Sequence, residues 1–172
     1  MKKFCFLFAI LFTCLVSGQN KENPLVILDS KKIGFMNEVQ SILEPLNPND
    51  ISTMSVYKGD DASQKYDSKS GVIIITTKKY ILDTFYKNNI ENSSLKNEIP
   101  STEMLAKIGV FGSKADSKNL PYDELIKYIY TNTANDTVLK ISSITFIKPS
   151  DAQQMNPDWK FGAIEIMSTL DR

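Results

Sequence analysis

The chain contains no histidine, and its two cysteines, Cys5 and Cys14, both lie close to the N-terminus. The missing imidazole excludes every mechanism that uses histidine as a base, a relay or a metal ligand. If the N-terminal segment is removed, no thiolate remains for a zinc site, an iron–sulfur cluster or a disulfide. The sequence also lacks a GxSxG elbow and a glycine-rich phosphate loop. We therefore expect a protein without a metal, a cofactor or an enzymatic activity.

The first residues, "MKKFCFLFAILFTCLVSGQN", have the pattern of an export signal. Lys2 and Lys3 precede an uncharged run over residues 4–16, which is shorter than the roughly 20 residues of a membrane-spanning helix. The pattern predicts a signal peptide over residues 1–18, with cleavage after Gly18. A lipoprotein with Cys14 at its new terminus is the alternative, although bulky residues precede that cysteine. We expect an exported protein, located in the periplasm or associated with the outer membrane or the cell surface.

The balance of charges argues against a protein that binds nucleic acid. The full chain has 20 basic and 20 acidic residues, and removal of Lys2 and Lys3 with the signal leaves 18 against 20, a net charge of −2. Binding to nucleic acid requires a basic face that displaces counterions from the phosphates. No second apolar run of spanning length follows the signal, so we expect no transmembrane segment in the mature chain.

The hydrophobic pattern of the first half predicts a β-α-β-turn-β unit. "PLVILDS" is a short apolar run typical of a buried strand, and "DISTMSVYK" and "GVIIITTKK" predict two further strands. Between them, "GFMNEVQSILEPL" has the apolar spacing of a helix. The residues expected on the inner face of that helix are Phe35, Met36, Val39, Ile42 and Leu43.

The second half repeats this alternation of strands and helices. "YILDTFYKNN" predicts a helix, residues 90–104 are polar enough for a linker, and "LAKIGVFGS", "VLKISSITFIK" and "FGAIEIMST" predict strands around a helix in "PYDELIKYIY". We assign one domain to residues 19–89 and a second, diverged unit to residues 105–172. The expected fold class is α+β, with two β-α-β-β units that each form a small mixed sheet with helices packed on it.

The two halves also share a sequence pattern. Residues 51–64, "ISTMSVYKGDDASQ", and residues 141–154, "ISSITFIKPSDAQQ", are identical at 6 of 14 positions. Any two strand–turn–strand segments share some of this pattern, but duplication of one unit explains it better. The likeness continues beyond the turn, where Gly71, Ile73 and Ile75 correspond to Gly162, Ile164 and Ile166.

Residues 24–79 resemble the plug domain of TonB-dependent outer-membrane receptors, in particular the SusC-like type of Bacteroidetes. The resemblance is carried by "PLVILD", "LNPNDISTMSVYKGDDASQKY" and "GVIIITTKK", and residues 141–169 match more weakly. Ser30 and Asp67 stand where the family pattern has glycine, so we expect the two turns to differ in shape. A receptor barrel of about 22 strands, each of about 9 to 11 residues, cannot be formed by the rest of the chain. The resemblance implies a freestanding plug without a barrel.

A freestanding plug implies a module that binds another envelope protein, associated with outer-membrane TonB-dependent systems. The candidate sites are the turns at residues 59–70 and 149–161. Their candidate partner-binding residues are Lys58, Asp60, Asp61, Tyr66, Lys69, Met155 and Trp159. Two alternatives stay open at single positions, since Trp159 is also suited to a core and the paired aspartates to a solvated turn.

A second function is compatible with the same pattern. A cleft between the two units could bind a sugar or a peptide fragment, with polar groups and tyrosines as ligand contacts. The tyrosines available for such a site are Tyr57, Tyr66 and Tyr122.

Overall fold

A computed structural model describes residues 23–112, 121–129 and 139–169 of the chain. The chain divides into two compact units, Met1–Thr76 and Thr77–Arg172. The expected signal peptide over residues 1–18, with both cysteines, lies outside the described residues.

The first unit contains a four-stranded sheet. Its elements are β1 (Leu25–Leu28), β2 (Lys31–Phe35), α1 (Gln40–Leu43), a 3-10 turn (Pro48–Asp50), β3 (Ile51–Tyr57), α2 (Asp60–Tyr66) and β4 (Val72–Thr77). The strand order is β2-β1-β4-β3. Strand β1 pairs antiparallel with β2 and parallel with β4.

Strand β4 is central and buried along its whole length, as its run of branched apolar residues predicts. On one face, Ile73 and Ile75 pack with residues of β1 and of the segment after β2. On the other face, Val72 and Ile74 pack with β1 and α2. The sheet therefore has an apolar layer on both sides.

The prediction of a helix in "GFMNEVQSILEPL" is largely wrong. The chain forms β2 up to Phe35, and only Gln40–Leu43 is helical. Met36 and Val39 are buried as predicted, whereas Phe35 and Ile42 are exposed. The reason is a two-residue turn after β1, which folds the chain back into an antiparallel hairpin and overrides the helical spacing.

The two turns that the sequence predicted to be altered have left-handed backbones, although they lack glycine. Ser30 has φ of +63° within the hairpin turn, next to Asp29 at +49°. Asp67 has φ of +55° and ends α2, where its N–H and that of Ser68 bond to carbonyls of the last helical turns. Aspartate and serine tolerate this region less well than glycine does, but here they adopt it. The absence of glycine therefore does not exclude a left-handed turn at either position.

The second unit contains a three-stranded sheet with helices. Its elements are α3 (Lys78–Asn89), a 3-10 turn (Ser94–Asn97), α4 (Thr102–Leu105), β5 (Gly109–Gly112), α5 (Pro121–Leu125), a 3-10 turn (Ile126–Tyr128), β6 (Lys140–Ile147), α6 (Pro149–Met155) and β7 (Ala163–Thr169). The strand order is β5-β7-β6, with β5 parallel and β6 antiparallel to β7. Each strand and helix expected in "LAKIGVFGS", "PYDELIKYIY", "VLKISSITFIK" and "FGAIEIMST" is present within these bounds.

Helix α3 belongs to the core of the second unit. The Thr77 hydroxyl caps it by accepting a hydrogen bond from the Tyr80 N–H at 3.1 Å. Its inner face is the predicted one, and those residues pack with Val110 of β5 and with β7. The buried residues are Ile81, Leu82, Phe85 and Tyr86. The division between units therefore falls before this helix, whereas the sequence-based domain ended after it.

The segment expected to be a linker, residues 90–104, contributes to the same core. It contains the 3-10 turn and most of α4, and Ile99 is fully buried. The polar residues of this segment are mostly exposed, while Ile99 faces the core.

The two units share a backbone arrangement, and the predicted α+β fold with two small mixed sheets is confirmed. The order β1-β4-β3 in the first unit matches β5-β7-β6 in the second. Gly71 and Gly162 precede the central strands with φ of +91° and +96°. The Gly71 carbonyl accepts a hydrogen bond from the Leu25 N–H at 3.0 Å, and the Gly162 carbonyl accepts one from the Gly109 N–H at 2.9 Å. The two sequence copies thus occupy equivalent positions.

The segments expected to be turns, residues 59–70 and 149–161, each contain a short helix, α2 or α6. Ala62 and Ala152 lie at the same position of the sequence alignment, and both are fully buried. These helices therefore pack on their sheets, and only part of each segment is exposed.

Candidate functional site

The predicted polar residues of the first unit surround α2 and are exposed. Lys58 precedes the helix, Asp60 and Asp61 form its first turn, and Lys69 follows it. Carboxylates in a first turn stabilise the partial positive charge of a helix N-terminus. These four side chains are therefore accessible, and the two aspartates have a structural role at the helix start.

Tyr66, the last residue of α2, lies in the interior. Its side chain is 7% exposed, and its ring lies against that of Tyr57 with the centroids 5.9 Å apart. It belongs to the buried cluster of Ile27 and Ala62. Tyr66 is therefore a packing residue of the first unit, and it does not present its ring at the surface.

Trp159 is likewise an interior residue, in the second unit. It is 9% exposed, and its indole stacks on Phe111 with centroids 5.3 Å apart and planes 11° apart. The indole also covers Gly109, where an added Cβ would lie 2.4 Å from the ring. The sequence was compatible with either a core or a surface position for Trp159, and the structure places it in the core.

Two large apolar side chains that are close to Trp159 in sequence are exposed. Met155 ends α6, Phe161 follows the next turn, and each is 46% exposed. We call these two residues the α6-turn surface. Burial of exposed apolar area is the dominant favourable term in most protein association, so such side chains are suited to contact with a partner.

Backbone hydrogen bonds hold the turn that carries this surface. The Trp159 N–H donates to the Asn156 carbonyl at 3.0 Å, and the Gly162 N–H donates to the Trp159 carbonyl at 3.2 Å. The Asn156 side chain adds a bond by accepting from the Asp158 N–H at 2.9 Å. The α6-turn surface therefore rests on a turn fixed both by hydrogen bonds and by a buried ring.

A cation lies beside the α6-turn surface. The Lys107 ammonium is 5.7 Å from the centroid of the Phe161 ring, within the range of a cation–π interaction. Sequence reasoning did not associate Lys107 with this site, because 54 positions separate it from Phe161 and no local pattern connects them.

The described residues with displaced pKa values lie elsewhere, at exposed helix ends of the second unit. The hydrogen bond to Asp83 raises the pKa of Lys79, and the hydrogen bond to Ser101 lowers the pKa of Glu103. Both groups are on the surface, and Ser101 also caps α4 through the Met104 N–H. These changes in pKa therefore arise from hydrogen bonds at the ends of helices.

The part of the chain that the structure describes offers few other groups that could take part in chemistry. It brings together no cluster of three or more histidine, cysteine or carboxylate side chains that could hold a metal ion. The Tyr86 hydroxyl is buried there without a hydrogen-bond partner. Tyr86 belongs to the apolar core of the second unit.

Comparison with family models, curated proteins and solved structures finds no match to this chain. Within the described ranges, no helix combines the length and apolar character needed to cross a bilayer.

Proposed function

We propose that this protein is an exported, non-enzymatic, plug-like module that binds another envelope protein through a surface that includes Met155 and Phe161. The observation that carries the proposal is the exposure of these two large apolar side chains, one before and one at the end of a turn that is fixed from within. A fixed turn loses little conformational entropy when a partner binds, so more of the contact energy appears as affinity.

The compartment and the class of partner rest on the sequence. The basic, then apolar, N-terminal pattern supports export, and the resemblance of residues 24–79 to receptor plugs supports a role beside outer-membrane TonB-dependent systems. A plug packs against the walls of another structure, so a freestanding plug has surfaces available for a separate protein.

The candidate residues around α2 have a secondary role in the proposed binding. Lys58, Asp60, Asp61 and Lys69 are exposed and charged, and contacts between exposed charges contribute little affinity. They are suited to orienting a partner and to setting its rate of association. The main contribution is assigned to the α6-turn surface.

The test is capture of a partner from an envelope extract of the native organism, followed by a binding titration with the purified partner. The double substitution Met155→Ser and Phe161→Ser removes the apolar contact and leaves Trp159 in place. We expect it to raise the dissociation constant at least about tenfold, as loss of an aromatic contact at an interface does.

Met167→Ser is the matched control, because Met167 is similarly exposed on β7 of the same unit. It should retain the affinity of the parent, and both variants should keep the parent's circular dichroism spectrum. Absence of a stoichiometric partner, or equal affinity of the double variant and the parent, would contradict the proposal.

A further inference from the structure

Strand β3 is an edge strand with exposed apolar side chains. Among the described residues it pairs only with β4, so its other edge has no strand beside it. Met54 is 38% exposed and Val56 is 49% exposed. An edge strand presents unpaired N–H and C=O groups, and exposed apolar residues make it a template for another strand.

In the equivalent strand of the second unit, β6, the corresponding apolar side chains are covered. Ile144 and Phe146 occupy the positions of Met54 and Val56 in the sequence repeat, and both pack against the core formed by α3 and its neighbours. Met54 and Val56 lie outside the two buried clusters of the first unit. The same strand position is thus covered in one unit and exposed in the other.

The charges at the two ends of β3 determine which strand fits this edge. Asp50 precedes the strand and Lys58 follows it, and both are exposed. In an antiparallel pair of two β3 strands centred on Met54, the Asp50 end of each strand lies beside the Lys58 end of the other. Opposite charges on paired strands stabilise the pair, so β3 is complementary to a second copy of itself.

Strand β6 lacks this complementarity. Lys140 and Lys148 are at the positions of Asp50 and Lys58, and both are exposed. Antiparallel pairing of two β6 strands would therefore place lysine beside lysine at both ends. Lysines on an edge strand are a common protection against unwanted pairing, and only the second unit has them at both ends.

We propose that two copies of this protein form a homodimer by antiparallel pairing of their β3 strands about a two-fold axis at Met54. The pairing joins the two four-stranded sheets, and each copy contributes the same surface, as a two-fold interface requires. The occupant of the edge is a second copy because the charge pattern is self-complementary. This inference concerns β3 and is independent of the α6-turn surface.

Sedimentation of the purified protein over a concentration series tests the proposal, with charge exchange at the two ends of the strand. We expect a dimer, and we expect both Asp50→Lys and Lys58→Asp to weaken it about tenfold, because each converts attraction at both ends into repulsion. The double variant Asp50→Lys, Lys58→Asp restores attraction and should restore dimerisation. Lys140→Asp on β6 is the control and should have no effect.

A second variant tests the centre of the interface. Met54→Lys keeps an exposed, flexible side chain in the monomer but places two ammonium groups together in the dimer, so it should abolish association. A monomeric parent protein would overturn the proposal, as would a charge-exchanged double variant that dimerises no better than the single variants. Loss of the dimer in the Met155→Ser, Phe161→Ser variant alone would also overturn it.

Discussion

At the residue scale, Tyr66 and Trp159 are both buried aromatic residues, but they pack with strand residues of different size. In the first unit, Tyr66 shares its buried cluster with Leu25 of β1. In the second unit, the residue that pairs with the central strand at the same place is Gly109, and the larger indole of Trp159 occupies the space above it. A larger aromatic residue is thus combined with a smaller strand residue, as close packing requires.

This exchange of volumes leads to a prediction for Gly109→Ala. The added methyl group would lie 2.4 Å from the indole, so the ring must shift, and overpacking of this kind costs about 2 kcal/mol of unfolding free energy. Gly112→Ala, on the same strand, meets its nearest atom at 3.5 Å and should melt close to the parent. Chemical denaturation of both variants measures the difference.

A double-mutant cycle identifies the cause. Trp159→Tyr combined with Gly109→Ala should be less destabilised than the sum of the two single variants, because the smaller ring leaves room for the methyl group. Additive effects would show that the indole is not what makes alanine unfavourable at position 109.

At the scale of the element, the central strands β4 and β7 organise the two sheets. Their equivalent positions were predicted from the repeated glycine and isoleucine pattern, and the strand orders confirm them. The hairpin of β1 and β2 was not predicted, because its turn consists of Asp29 and Ser30 without glycine. Sequence reasoning expects glycine or asparagine in such a turn and therefore favoured the competing helical spacing.

Replacement of Ile74 by aspartate tests the buried state of β4. The side chain is enclosed by β1 and α2, so an unpaired carboxylate would enter an apolar interior and should cost at least about 3 kcal/mol. Ile42→Asp is the comparison, because Ile42 is exposed although its spacing predicted an inner face. Thermal melting should distinguish them, and equal melting temperatures would place Ile74 at the surface.

At the scale of the whole molecule, the division of the chain depends on the packing of α3. The helix follows β4 without a break and was expected to complete the first domain. Its inner face packs instead with β5, α4 and β7 in the second unit. A helix that follows a strand directly can pack on either side of a boundary, and the sequence contains no signal that selects one.

Hydrogen exchange of a Phe85→Ala variant tests this assignment. Phe85 is fully buried, and its truncation should cost about 3 to 5 kcal/mol. Amide exchange should accelerate in β5 and β7, while β1 and β4 retain the protection of the parent. Loss of protection in β1 and β4 alone would show that the helix stabilises the first unit, as the sequence-based boundary implies.

The sequence by itself determined the features that depend on local composition. Four consecutive branched apolar residues favour a strand that is buried on both faces, a glycine before each central strand permits a left-handed backbone, and the apolar spacing of α3 predicts its inner face. The absence of histidine likewise limits the available chemistry without reference to any fold.

Only the tertiary structure decided which side chains are covered. Met54 and Ile144 share one position of the repeat, yet α3 and its neighbours pack against Ile144 while Met54 stays exposed. Tyr66 was a candidate for the surface and Trp159 was a candidate for either the surface or the core, and both are interior. Burial is a property of two packed faces, and a strand's own residues specify only one of them. The exposed surfaces on which this protein's interactions depend were therefore decided by packing between segments distant in sequence.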